Sequence, residues 1–381
     1  MAAKIVKKRK QNKSGSVDYV MFYAIMILLA IGIVMVYSAS SFYAKYNTAS
    51  GDTTTFLKKQ VVSCILGLIS MGIFMCFDYH KLKKFTLIIL ILAIPLQFGV
   101  FLFDPVNGAR RWIKIGGQSF QPSELAKYAV VLFMAMSLDA KGKGVKKFTT
   151  GILPYIAVGG LFAGLVLMQS NLSVAALIMI VTFIVLFCAG GRMNHLFLYV
   201  APVIAAAAGC FAYFEPYRRK RLFNFIDPWQ DAAGNGYQLI QSFYALGAGG
   251  ITGLGLGQSR QKTIYMPEPH NDFIFSIIGE ELGLIGCVAI IIIFMVLIWR
   301  GIKTAIEAKD NYGMLLAVGI TSVVAVQCII NLAVVTGSMP VTGVPLPFIS
   351  YGGTSLAITT TAMGILLNIS RQRVVNKGKS L

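Results

Sequence analysis

Long apolar runs separated by short polar stretches dominate the chain. A helix crossing the roughly 30 Å hydrocarbon layer needs about 20 mainly apolar residues. Runs of this kind fall at 17–41, 61–78, 86–103, 123–138, 150–168, 172–190, 194–214, 272–299, 313–336 and 353–370. The pattern predicts an all-α, polytopic integral membrane protein with about ten transmembrane helices. The fourth run is the weakest, being short and carrying Lys127. The first is too long for a cleavable signal peptide and lacks a small-residue cleavage site.

Charge then orients the bundle. The chain has 34 Lys and Arg against 15 Asp and Glu. Cytoplasmic loops retain Lys and Arg, and short loops decide the orientation. With the amino terminus inside, the inside segments take the basic residues from Lys4 to Lys13, Lys81, Lys83, Lys84, Lys141, Lys143, Lys146, Lys147, Arg192, Arg300, Lys303, Lys309, Arg371, Arg373, Lys377 and Lys379. The reading is therefore N-in, C-in, with one long extracytoplasmic loop, 215–271, between the seventh and eighth helices. It divides the chain into a basic cytoplasmic tail (1–16), a single transmembrane domain (17–370) and a second basic tail (371–381).

Basic residues that flank apolar spans meet anionic lipid head groups, so the net charge of +19 does not indicate a nucleic-acid partner. All six cysteines lie in apolar runs and read as small core hydrophobes, not as a disulfide or zinc framework. With only His80, His195 and His270 there is no histidine cluster, and no metal site is expected.

Acidic residues are few enough to take singly. Asp18, Asp78, Asp139, Glu307 and Asp310 fall at cytoplasmic span ends, where solvated caps are expected. Ionisable groups inside spans are costly and mark a site or a buried pair. Glu124 and Lys127 are three apart at a Pro122 helix start, so they share a face as an ion pair or as part of an anion site. Before them runs Asn107-Gly108-Ala109-Arg110-Arg111-Trp112-Ile113, a turn and an interfacial basic–aromatic stretch in which Arg111 or Arg110 could fork onto phosphate. The long loop carries Gly236-Tyr237-Gln238, then glycines from 247 to 257 whose amides could approach phosphate, then Lys262. At its end Asp272 opens the next span, where the helix dipole and free amides stabilise a capping carboxylate. Glu280 and Glu281 follow two turns on, and at least one should face protein or a polar cavity. Finally, Pro345 to Ser355 predicts a broken or re-entrant stretch packed against protein.

Taken together, Arg110-Arg111-Trp112-Ile113, Gln121-Pro122-Ser123-Glu124, Gly236-Tyr237-Gln238, Asp272-Phe273-Ile274-Phe275, Gly279-Glu280-Glu281-Leu282-Gly283 and Pro347-Phe348-Ile349-Ser350-Tyr351-Gly352-Gly353 resemble the SEDS family (shape, elongation, division and sporulation). Tyr37-Ser38-Ala39-Ser40 fits as well. The motifs follow family order along nearly the whole chain, and their wording is closer to the FtsW/SpoVE branch than to RodA. One departure is Gln169-Ser170-Asn171-Leu172, where family members often carry Pro-Asp-Leu.

The resemblance implies a peptidoglycan glycosyltransferase in the bacterial plasma membrane. It would polymerise lipid II, an undecaprenyl-diphosphate-linked disaccharide-pentapeptide, into glycan strands at the outer face, in division, elongation or sporulation. It implies Asp272 as the catalytic residue, with Arg111, Glu124, Lys127, Lys262 and Ser350 binding substrate. A divalent cation (Mg or Mn) could travel with the lipid diphosphate. The implied partners are a class B penicillin-binding protein and other division or elongation membrane proteins. A lipid II flippase and a non-catalytic division scaffold are the alternatives.

Overall fold

The computed structural model describes residues 15–48, 51–105, 108–115, 118–214, 219, 223–234 and 236–373. Most of both basic tails, together with Asn107 and Glu215, therefore lie outside the described residues. Its helices are α1 (Tyr19–Asn47), α2 (Thr55–Cys76), α3 (Leu82–Gly99), α4 (Pro122–Lys141), α5 (Leu153–Met168), α6 (Leu172–Cys188), α7 (Ala201–Phe214), α8 (Tyr237–Gly249), α9 (Ile274–Ile306), α10 (Asn311–Val335) and α11 (Gly353–Arg371). Among the described residues, seven helical stretches are long and apolar enough to cross a membrane. They are the stretches that include α1, α2, α3, α5, α9, α10 and α11, while α6 and Met193–Ala206 are shorter apolar helices. The weak fourth run is α4, a full 20-residue helix.

Local chemistry sets the helix starts. The carboxylates of Asp18 and Asp310 accept from the amides of Met21 and Gly313, and the Asn171 side chain accepts from Val174. At that last position an amide oxygen does the capping that a carboxylate would do equally well. Pro122 begins α4, where a missing amide costs nothing.

The core gathers on α10, which packs against α9, α4 and α6. Its apolar window is 67% buried, against 22% for the window that includes α3. Exposed Ile65, Leu66, Ile69 and Ile73 on α2, and Ile88, Ile91 and Leu92 on α3, give the outside an apolar coat. A helix apolar on all sides suits a lipid surround.

At one end of the bundle Asp18, just before α1, meets the end of α11 and Arg373. The Asp18 amide donates to the Ser370 hydroxyl, and Arg300 Nε donates to the Asp18 carboxylate at 2.8 Å. Arg373 reaches Glu307 at 3.1 Å. Asp18 is therefore a buried cap, not the solvated one expected, because arginines from α9 and from the segment after α11 close over it.

The opposite end, which we call the Asp272 end, departs from the all-α expectation. A two-stranded antiparallel hairpin, β1 (Ile113–Ile115) with β2 (Gln118–Phe120), leads into α4. The stretch expected to be a long loop contains α8, which packs on α9.

The glycine-rich segment after α8 completes a break in α9. Gly283 has φ 65° inside the helix, so the ladder is interrupted there. The stranded carbonyls of Glu280 and Glu281 accept from the amides of Leu254 and Gly255 at 2.9 and 3.0 Å. In turn the amides of Leu284 and Ile285 donate to the carbonyls of Gly250 and Ile251. A broken helix in an apolar setting persists only when protein satisfies its freed groups. A Cβ at Gly253 or at Gly283 would collide with the facing backbone. This corrects the expectation of a phosphate cradle for two of the glycine-rich amides, Leu254 and Gly255, which are spent on α9.

Candidate functional site

Asp272 stands two residues before the first residue of α9, with Phe273 in the cap position. Its backbone carbonyl accepts from Asn331 Nδ2 on α10 at 2.7 Å, and the same amide group donates to the Val344 carbonyl at 2.8 Å. Gly343, at φ 74°, faces the Asp272 carboxylate, where a Cβ would come within 3.2 Å of Oδ2. The non-helical segment 340–346 between α10 and the turn before α11 thus runs directly beside Asp272.

One turn earlier on α10, Gln327 repeats the pattern. Its Nε2 donates to the Pro345 carbonyl at 3.0 Å, and its Oε1 accepts from Lys127 Nζ at 2.9 Å. Lys127 also pairs with Glu124 at 2.9 Å, both side chains being 2% exposed or less. Glu124 further accepts from the Ser355 hydroxyl at 2.6 Å. The expected ion pair therefore exists, and it belongs to a chain of polar contacts linking α4, α10, segment 340–346 and α11.

A second buried network lies on α9. Glu281 accepts from Ser38 at 2.8 Å and pairs with Lys262 at 2.5 Å, while Lys262 also donates to the Ser38 hydroxyl. Glu280 accepts from the Ser259 hydroxyl and from the amides of Arg260 and Gln261. Both glutamates are fully buried. The two carboxylates hold segment 259–262 against α1 and α9, and the Lys262 ammonium points inward into this contact. Ser38 was visible in Tyr37-Ser38-Ala39-Ser40, but nothing in that motif names its partner.

Arg111 and Ser350, also expected at the site, make contacts to backbone in this structure. Arg111 donates to the carbonyls of Gln169, at 3.3 Å, and Ser170, tying the hairpin to the α5–α6 turn. The Ser350 hydroxyl accepts from the Leu346 amide at 2.8 Å and closes the turn before α11. Gln60 secures that turn from α2, donating to the Ser350 carbonyl and accepting from the Gly352 amide. His270, 2% exposed, lies in an aromatic box of Tyr43, Phe56 and Tyr351 with ring centroids 4.3 to 5.4 Å away. Burial lowers its pKa to about 3, so the ring is neutral. Among the described residues no three His, Cys, Asp or Glu side chains stand together as a metal site.

Asp272, Lys127 and Glu124 are thus joined by backbone and side-chain contacts through α10, and Ser350 closes the turn that ends the same segment. Lys262 sits with the α9 network, and Arg111 with the hairpin. Sequence reasoning missed Gln327 and Asn331, whose only signal is two amide side chains four apart on an apolar helix, and so on one face.

Comparison with known proteins agrees with the motifs. Residues 18–374 match the FtsW/RodA/SpoVE family model, described as a cell cycle protein. A probable peptidoglycan glycosyltransferase FtsW from Geobacter sp. (strain M18) is 41% identical over 364 residues, 93% of this chain and 96% of the relative. Stage V sporulation protein E from Bacillus subtilis (strain 168) is 41% identical over 367 residues, covering 94% and 98%. Among solved structures, a chain from a peptidoglycan synthase complex that coordinates polymerization and crosslinking superposes with a TM-score of 0.76 at 27% identity, covering 94% of this chain and 99% of that one. The rod shape determining protein RodA of Thermus thermophilus shares the fold, with a TM-score of 0.68 at 24% identity over 94% and 97% of the two chains. The chain belongs to the FtsW/RodA/SpoVE family of cell cycle proteins, the SEDS family, on its FtsW/SpoVE branch.

Proposed function

We propose that this protein is a peptidoglycan glycosyltransferase of the bacterial plasma membrane that polymerises lipid II at the outer face, in division or sporulation. The names of its relatives support the activity. The observation that carries the site is Asp272, a carboxylate bordered by a bare Gly343 and held by its own carbonyl to α10. Asp272 takes the proton from the acceptor hydroxyl as its oxygen attacks the donor sugar, and the lipid diphosphate departs. Cationic groups stabilise that leaving group. Arg111 is partly exposed and can meet a phosphate oxygen without unpairing a buried carboxylate. Lys127 and Lys262 act through the networks that hold the site. A divalent cation would enter on the diphosphate, whose own oxygens supply most of its ligands.

Ten spans cross the bilayer in this reading: the seven long apolar stretches, α4, α6 and the helix through α7. Both termini are cytoplasmic and the Asp272 end faces outward. A cysteine at position 143 should resist a membrane-impermeant thiol reagent in intact cells, whereas one in 228–234 should label. Labelling at 143 would reverse the orientation. A class B penicillin-binding protein is the proposed partner, supported by the likeness to a chain of a synthase complex.

A flippase would need ionisable groups along a path. Glu124, Lys127, Glu280 and Glu281 are instead each engaged by close partners. The deciding experiment is polymerisation of lipid II by purified protein. Asp272→Asn keeps the size and expression but loses the base, so the rate should fall by at least about a hundredfold. A near wild-type rate would remove Asp272 as the base.

A further inference from the structure

Asn331 is 1% exposed, and its amide is oriented at a cost. Nδ2 spends both hydrogens on the carbonyls of Asp272 and Val344, while Oδ1 has no hydrogen-bond partner among the described residues. A buried acceptor left alone is unfavourable and calls for an explanation. The flipped amide would be worse, setting its oxygen against two carbonyl oxygens. The orientation therefore serves the two carbonyls, and one of them belongs to the residue read above as the base.

We propose that Asn331 is a positioning residue for Asp272. It joins two non-helical backbones, the stretch entering α9 and segment 340–346, and fixes their relative register from the rigid side of α10. With the Asp272 carbonyl and the Val344 carbonyl held by one amide, the peptide planes that follow them are fixed. Gly343, lying between these anchors, is held at the carboxylate face. The backbone of Asp272 is then fixed, and Gly343, with no Cβ, leaves room for an acceptor hydroxyl to approach. Gln327, one turn away, holds the next carbonyl of the same segment, at Pro345, so α10 braces it at two successive points. Without the Asn331 amide, Asp272 and segment 340–346 can part. A misplacement of about 1 Å is enough to cost on the order of a hundredfold in rate.

This inference rests on Asp272 being the base, so the test measures rate and local order separately. Asn331→Ala removes the group, and Asn331→Asp keeps its size while replacing both N–H donors with oxygen. Each variant is compared with wild type and with Asp272→Asn in full-length protein, using kcat and KM for lipid II and backbone hydrogen exchange by peptide. The expected result is a kcat about ten- to a hundredfold lower with KM within about twofold. Exchange should rise in 271–273 and 342–346 but not across α1 or α2, and Asp272→Asn should leave it unchanged. A buried Asp can prevent folding, and Asn331→Ala then carries the test.

A folded Asn331→Ala with wild-type kcat overturns the proposal. So does a kcat loss with unchanged exchange in the two segments, or a rise in exchange throughout the bundle, which would mark a merely structural residue. Failure of the base reading looks different: Asp272→Asn would be active, and Asn331→Ala would loosen the two segments while kcat stayed near wild type.

Discussion

The two ends of the bundle use charge in opposite ways. At the end where Asp18 meets α11, carboxylates cap helices. Asp18 and Asp310 cap α1 and α10, and their partners Arg300, Tyr79 and His80 lie on neighbouring helical segments. Several of these groups keep solvent contact, as do Lys83 and Asp139, which pair at 2.7 Å while remaining partly exposed. At the Asp272 end Glu124, Lys127, Lys262, Glu280 and Glu281 are buried and hold segments outside the long helices, while Lys58 and Asp52 pair in the open. Glu280 binds the amides of 260 and 261, Glu281 holds Lys262, and Lys127 reaches segment 340–346 through Gln327. Regular helix satisfies its own backbone, so the first end needs only caps. Extended and broken segments in an apolar surround must find partners elsewhere, and those partners are what give the second end a fixed shape.

The sharpest way to break this contrast is to unpair a charge at the Asp272 end. Lys127→Met leaves Glu124 buried with only the Ser355 hydroxyl and solvent-poor surroundings, and breaking a buried pair from one side costs about 3–5 kcal/mol. Adding Glu124→Gln should restore most of that, because no uncompensated charge remains. Thermal unfolding in detergent measures both. Lys83→Met at the other end should cost under about 1 kcal/mol, as exposed pairs do. Equal losses at Lys127 and Lys83 would erase the distinction between the ends. Activity adds a second reading: a stable double variant that polymerises lipid II at the wild-type rate would remove Lys127 from the site.

Much of this architecture could be read from the chain, and the reasons are particular. Apolar length located the helices to within a few residues, except that α2 begins earlier, at Thr55, and α1 and α9 run on, to Asn47 and Ile306. Hydropathy registers the lipid-facing stretch and is blind to a polar extension of the same helix. The Glu124–Lys127 pair was legible because its members are three apart on one helix, where geometry follows from spacing. Lys262–Glu281 was not, since the lysine lies on a short π-helical turn, Gln261–Tyr265, far from Glu281 in sequence pattern and brought to it only by the tertiary fold. The glycines at 250, 253 and 255 suggested phosphate because the motif fixes only conformational freedom. What such freedom is used for is decided by the neighbouring backbone, here α9. Arg111 and Ser350 also hold backbone groups, the carbonyls of Gln169 and Ser170 and the amide of Leu346, and neither contact has a sequence signature.

A smaller effect separates the ends by pH. His270 at the Asp272 end has its pKa lowered to about 3 by burial, from the ordinary 6.5. A depressed histidine stabilises the fold while neutral. The unfolded chain begins to take up the proton as pH falls through about 6.5, and the native ring does so only near pH 3. Stability is therefore full above about pH 7, falls from about 6.5 downward, and is lower by on the order of 2 kcal/mol at pH 5. The carboxylates at the other end do not contribute to this window. Burial alone would raise Asp310, but hydrogen bonds from Tyr79, the Gly313 amide and His80 outweigh it and hold the carboxyl below its usual range. Asp78 is likewise pulled up by burial and held down more strongly, by the His80 ring and amide and by Gln372. A depressed carboxyl keeps its contribution above its unfolded value, near 3.8, and loses it only as pH falls further. His270→Phe places a similar ring in the box of Tyr43, Phe56 and Tyr351 without a titrating nitrogen. Unfolding temperatures at pH 7 and pH 5 should then converge for the variant while the wild type drops. If the wild type and His270→Phe lose the same amount between those pH values, the acid sensitivity lies elsewhere and the ends do not differ in this respect.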